Sequence, residues 1–336
     1  MRIVDAFPHI IPADCLERFC TVASGPALDF LRGLRGRGHL APMWDLDARF
    51  RSMDAVDGYV QVLTLCLPPI EQMARGAPGV DLARMANDRM AELVERHPDR
   101  FVGFAASLPL DDADAALREL DRAVQELGAL GAQVFTNSNG AAMDHPRYEP
   151  LWARLDELDR TVWVHGARQS TTPDYVDEDR SRYGLWAALG WPYEMGMFAA
   201  RMVASGVLER HPRLPFLLHH SGGMLATFSR RVNGSWLELQ AKSTEDESAY
   251  AQLQRPPAEY FFRFCADTSG QSPVAVRAAL EFLGPEHVLL GSDAPFSTPV
   301  DHVAMLARLQ LPAEQHALLV GGNAERVLHL KKGAAA

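Results

Sequence analysis

Seven side chains able to bind a metal ion or move a proton punctuate this chain at intervals. His9, His165, His219, His220, Asp267 and Asp293 fall at or just beyond the ends of short apolar runs, and Glu194 opens a helical stretch in Trp191-Pro-Tyr-Glu194. Imidazole and carboxylate ligands without thiolate suit zinc, manganese or iron better than copper(I) or an iron–sulfur cluster. A lone strand-end histidine is commonly structural and a lone aspartate commonly caps a helix. The whole set on one rim points instead to a metal site. His219 and His220 are adjacent, and neighbours on a regular strand face opposite ways. Both reach one site only if the strand ends or bulges between them. The glycines of His220-Ser-Gly-Gly223 let the backbone turn close to a ligand, which makes His220 the expected inward residue.

The elements that must gather these residues read as alternating strands and helices. The strand-like runs are 2–9, Tyr59–Leu65, Phe101–Ser107, 131–136, Thr161–His165, 215–220, 260–266 and 287–293. Amphipathic stretches lie between them. Asp81 to His97 repeats apolar residues near helical spacing, and Asp111 to Leu127 opens on acids suited to a helix start. Strict alternation implies a parallel sheet, and this number of units a closed (β/α)8 TIM barrel. Residues 1–330 are expected to form one such α/β domain, with a frayed tail at 331–336. Inserts at about 30–53 and 168–192 interrupt the rhythm after the first and fifth runs, on the rim where barrel enzymes keep their sites.

Composition narrows the class. A net charge of -10 over 336 residues argues against nucleic acid as a partner. No apolar run reaches membrane-span length, and no basic segment followed by an apolar stretch marks a signal peptide. The four cysteines lack metal-binding or CxxC spacing, as reduced thiols of a cytoplasmic protein would. Cys265 is expected to be a buried structural thiol. The sequence leaves oligomeric state open, a homodimer included.

Asp5-x-x-x-His9, Met43-Trp-Asp-Leu-Asp-Ala-Arg49, His165, Gly206-Val-Leu-Glu-Arg-His-Pro212, His220-Ser-Gly-Gly223, Gly291-Ser-Asp-Ala-Pro-Phe296 and Asn323-Ala-Glu-Arg326 carry a resemblance over nearly the whole chain. It resembles the amidohydrolase-related barrels that include aminocarboxymuconate semialdehyde decarboxylase and the aromatic acid decarboxylases. That resemblance implies His9, His165 and Asp293 as metal ligands and His220 as acid/base. It also implies a first ligand two residues before His9, where this chain has Phe7. Glu194, Asp267 and the second histidine of the pair could replace it, and the surplus suffices for two ions. In this respect the chain is similar to amidohydrolase-like non-haem diiron monooxygenases, which implies two irons, dioxygen and a bulky coenzyme A-linked acid. His220, Asp293 and Glu194 are the candidate catalytic groups on this reading. The alternative is a mononuclear zinc or manganese decarboxylase or hydrolase of an aromatic or unsaturated acid, and a metal-free binding protein is the third.

Arg32, Arg35 and Arg37, set among glycines, are candidate ligands for a substrate anion, because the guanidinium fork matches phosphate and carboxylate. Trp191, with Tyr175, Tyr183 and Trp186, offers aromatic surface for a bulky substrate.

Overall fold

Every expected apolar run contributes to the sheet in the computed structural model, which describes residues 2–228, 231, 234, 253–270 and 272–330. The strands are β1 (Ile3–Asp5), β2 (His9–Ile10), β3 (Tyr59–Leu65), β4 (Phe101–Ser107), β5 (Gly131–Phe135), β6 (Asn137–Ser138), β7 (Ala141–Ala142), β8 (Thr161–His165), β9 (Phe216–Leu218), β10 (Phe264–Asp267) and β11 (Val288–Leu289). Parallel pairing runs β1, β3, β4, β5, β8, β9, β10, β11. β2 continues the first run beside β3, and β6 and β7 form a separate hairpin.

The first and last strands meet through single backbone bonds. Ala6 N–H donates to Leu290 O at 2.8 Å and Asp293 N–H to Phe7 O at 3.2 Å. Asp5 reinforces this seam. Its buried carboxylate accepts from Ser292 N–H (2.8 Å), Ser292 Oγ (2.6 Å) and the Tyr59 hydroxyl (2.5 Å). The result is a nearly closed barrel of parallel strands, the architecture expected from the alternation.

Strand alternation sorts side chains into two cores. Val4, Val62, Trp163, Leu217, Cys265 and Leu289 fill the lumen. Val162, Val164, Phe216 and Leu218 face outward to the helices. Cys265 is thus the packing thiol expected of it, and burial pushes it up to about 12.

The helices follow their sequence signals. Ala77–Arg96 and Ala113–Gln125 cover two of the amphipathic stretches, the second capped by Asp112, whose carboxylate accepts from Ala115 N–H at 2.9 Å. Residues 260–261 depart from the expected strand. Pro256 and Pro257 fix φ at a helix start, so Pro257–Phe261 is a helical turn and β10 begins only at Phe264. The 30–53 insert is mostly helical, in Gly25–Arg35, a 3₁₀ turn at Gly38–Met43, and Leu46–Met53. The 168–192 insert is irregular until Leu185–Ala188 and Gly190–Ala204. Among the described residues no helix is long and apolar enough to cross a membrane. The tail at 331–336 lies outside them.

Candidate metal centre

Five of the expected residues converge where the strands end. His9, His165 and His219 offer ring nitrogens that lie within 4.8 Å of one another, and so do the ligand atoms of His219, His220 and Asp293. Period two explains the first set. Trp163 and Leu217 point into the lumen, so His165 and His219, two residues on, point there too. His220, the expected inward residue, therefore takes second place to His219. It reaches the site because β9 stops at Leu218 and the chain turns with φ of 54° at both His220 and Ser221. Asp293 also has positive φ (62°). Three non-glycine residues in this uncommon region at one site mark a backbone held by its surroundings.

The turn depends on close glycine contacts. A Cβ on Gly223 would stand 2.4 Å from Pro192 O, and one on Gly166 would stand 2.5 Å from Trp191 Cβ. Gly166 thereby lets Trp191 settle against the end of β8.

Each inward histidine is backed at Nδ1. Thr64 Oγ1 donates to Pro8 O at 2.5 Å, so toward His9 Nδ1, at 3.2 Å, it acts as acceptor. His165 Nδ1 donates to Gly166 O at 2.8 Å, and His219 Nδ1 donates to Asp267. With Nδ1 protonated, the Nε2 lone pairs are free. His9 Nε2 and His219 Nε2 are buried without hydrogen-bond partners, at 3.3 and 3.5 Å from Asp293 Oδ1. Backed imidazoles with free, converging Nε2 atoms beside a carboxylate fit a divalent cation.

The charge states agree with that fit at His9, His165 and Asp293, whereas His219 must give up a proton before its Nε2 can ligate. Burial pushes His9 down, Asp293 only partly offsetting it, and burial with the neighbouring histidines holds His165 well below its usual value. Burial, then the charge on His219, push His220 down to about 3. For His219, burial is outweighed by Asp267 and Asp293, which carry it up to about 9. Burial raises Asp293, but the adjacent His219 and His9 outweigh it and hold the carboxylate well below its normal range.

Phe7 sits among these rings. It stacks on His219 at 4.0 Å and 28° between planes, with edge contacts to His9 (5.7 Å) and His165 (6.3 Å). It fills the ligand position as an apolar wall. Trp191 bounds the other side, edge-on to His165 at 5.2 Å and stacked on His220 at 5.8 Å.

The remaining candidates lie elsewhere. Asp267 is spent on His219 and on the N–H groups of Ser221 and Ser269, so it stands behind a ligand position. Glu194 accepts from Thr136 Oγ1 (3.3 Å) and Asn137 Nδ2 (3.1 Å), outside the histidine cluster. Arg32, Arg35 and Arg37 are exposed, and none lines the neighbouring cavities. Arg75, Arg168 and Arg180 do line a cavity beside Trp191. Sequence reading missed them; only their place in or near the 168–192 insert signalled two of the three.

A metal-site barrel of this build defines a class of rim-centred enzymes, and comparison gives the family. The amidohydrolase family signature matches residues 37–330, and the chain belongs to that family. It is 31% identical over 295 residues to a gamma-resorcylate decarboxylase of Rhizobium radiobacter, covering 84% of this chain and 87% of that one. The crystal structure of 5-carboxyvanillate decarboxylase from Sphingomonas paucimobilis superposes with a TM-score of 0.85 at 26% identity, over 98% of this chain and 99% of that one. A dihydroxybenzoic acid decarboxylase from Polaromonas sp. JS666, solved with manganese and the inhibitor 2-nitroresorcinol, gives 0.80 at 25%, over 99% and 98%.

These relatives overturn the expected diiron monooxygenase. They are decarboxylases, and manganese, not iron, is the ion bound in the Polaromonas structure. The iron and oxidoreductase assignments fall with it, and the relatives give no support to dioxygen or a coenzyme A-linked substrate. The physical reason is that surplus ligands in sequence are not surplus in space. Asp267 and Glu194, needed for a second ion, are already engaged by other groups.

Proposed function

We propose that this chain is a metal-dependent decarboxylase of aromatic carboxylic acids, holding a single manganese or zinc ion. The observation that carries it is the convergence of the free Nε2 atoms of His9 and His219 on Asp293, beside His165. His9, His165 and Asp293 would hold the cation, with His219 replacing the ligand lost at Phe7. When bound, such a cation supplies positive charge that fixes a carboxylate and an adjacent phenolic oxygen.

The reaction breaks the bond between ring and carboxyl carbon, releases CO₂ and forms a C–H bond at the vacated ring carbon, consuming one proton. His220 is the group placed to deliver that proton. Its Nδ1 has no partner and its ring lies 4.1 Å from His219, against the cluster that would hold the cation. Phe7 and Trp191 wall the reacting ring from water.

The test is CO₂ release by manganese-loaded protein from hydroxybenzoates such as 2,6-dihydroxybenzoate, under argon and under air. Equal release in both, lost in His220→Ala, is expected. No release from any aromatic acid would refute the reading.

A further inference from the structure

On the far side of Trp191 from the histidines lies a cavity of about 780 Å³. Trp186 and Trp191, packed edge to face at 5.3 Å, form one wall, and Trp191 itself touches His165 and His220. The cavity thus adjoins the histidine cluster across Trp191, and its size suits a ligand much larger than a single-ring acid.

Its charge is what distinguishes it. Arg75, Arg168 and Arg180 all line it, against Asp29 and Glu71. Glu71 is 2% exposed, and burial pushes it up to about 7, so it opposes an anion less than its type suggests. Arg75 and Arg180 make no hydrogen bond or ion pair with any described residue. Arg168 donates to Pro173 O at 2.7 Å, while its nearest acids, Asp174 and Glu194, lie only at 4.0 Å. Each guanidinium has five N–H donors, so most of this capacity is unspent. Arg75 and Arg168 also line a second cavity of about 510 Å³.

We propose that the substrate carries a second anionic group, a carboxylate or phosphate, far from the reacting carboxyl, and that Arg75, Arg168 and Arg180 bind it while Trp186 and Trp191 flank the connecting rings. This deepens the decarboxylase reading, from which it takes the identity of the first carboxylate. The 168–192 insert then sets substrate length, supplying two of the three arginines and both tryptophans.

The test is a binding titration of manganese-loaded protein, read by quenching of tryptophan fluorescence and so independent of turnover. The probes are a biphenyl monocarboxylate, the biphenyl dicarboxylate with one acid at each end, and the analogue with phosphonate at the far end. A far-end anion should tighten binding by about tenfold or more, as charge-assisted hydrogen bonds do. Arg75→Ala combined with Arg180→Ala should erase that advantage. The stronger of carboxylate and phosphonate identifies the natural anion. Equal affinity for all three probes, or an advantage that survives in the double variant, would overturn the proposal. If the decarboxylase reading alone is wrong, no acid is decarboxylated yet the far-end preference remains.

Discussion

Glu71 offers a quantitative handle on the rim, because its carboxyl is enclosed by protein and neither oxygen has a hydrogen-bond partner. Burial raises it from 4.5 to about 7, with the charge of Asp111 adding to the effect. Each pH unit of that rise is worth about 1.4 kcal/mol, so ionising Glu71 inside the fold costs about 3 kcal/mol more than in the unfolded chain. Between those values the folded state binds more protons than the unfolded one, and stability therefore falls as pH rises through the window. Below about 4.5 the carboxyl is protonated in both states and the penalty vanishes. Glu71→Gln removes the titration while keeping the shape. Urea unfolding of both proteins across this range should show the variant gaining about 3 kcal/mol on the parent between about pH 4 and pH 8, with no gain at the acid end. A stability difference independent of pH would refute the reasoning.

Asp5→Ala should lower stability by about 3 kcal/mol or more in urea unfolding, since it strands the hydroxyls and N–H that close the barrel seam. Manganese affinity should rise with pH below about 9, approaching tenfold per unit in a titration followed by manganese EPR, because His219 must shed its proton to offer Nε2. His219→Ala should weaken manganese binding by about tenfold or more. Adding Phe7→His to that variant should restore it, because Phe7 lies directly against the His219 ring.

The strands and the histidines were legible for one reason: both follow period two. Thr161–His165 alternates into the lumen as written, and its terminal histidine arrives where the alternation sends it. The same parity, counted from Leu217, would have favoured His219 over His220. The glycines after His220 were given more weight because they are a visible turn signal, and they do explain how His220 also reaches the site. What stayed hidden was three-dimensional. Nothing in the sequence tells that Asp267 is consumed by His219, or that Glu194 turns to Asn137. Arg75 was equally unreadable, a lone arginine before a glycine, until the fold laid it beside Arg168. Of the aromatic residues in the insert, Tyr175 and Tyr183 are 73% and 92% exposed, while Trp186 and Trp191 line the cavity, a division no spacing announces.

The central claim is a one-cation site in which His219 takes the place vacated at Phe7, with Glu194 and Asp267 outside the ligand set. Metal analysis by mass spectrometry of manganese-loaded parent, His219→Ala and Glu194→Gln proteins tests it directly. The parent and Glu194→Gln should each carry one manganese per chain, and His219→Ala should carry almost none after desalting. Two ions per chain in the parent, or a loss in Glu194→Gln as large as that in His219→Ala, would contradict it.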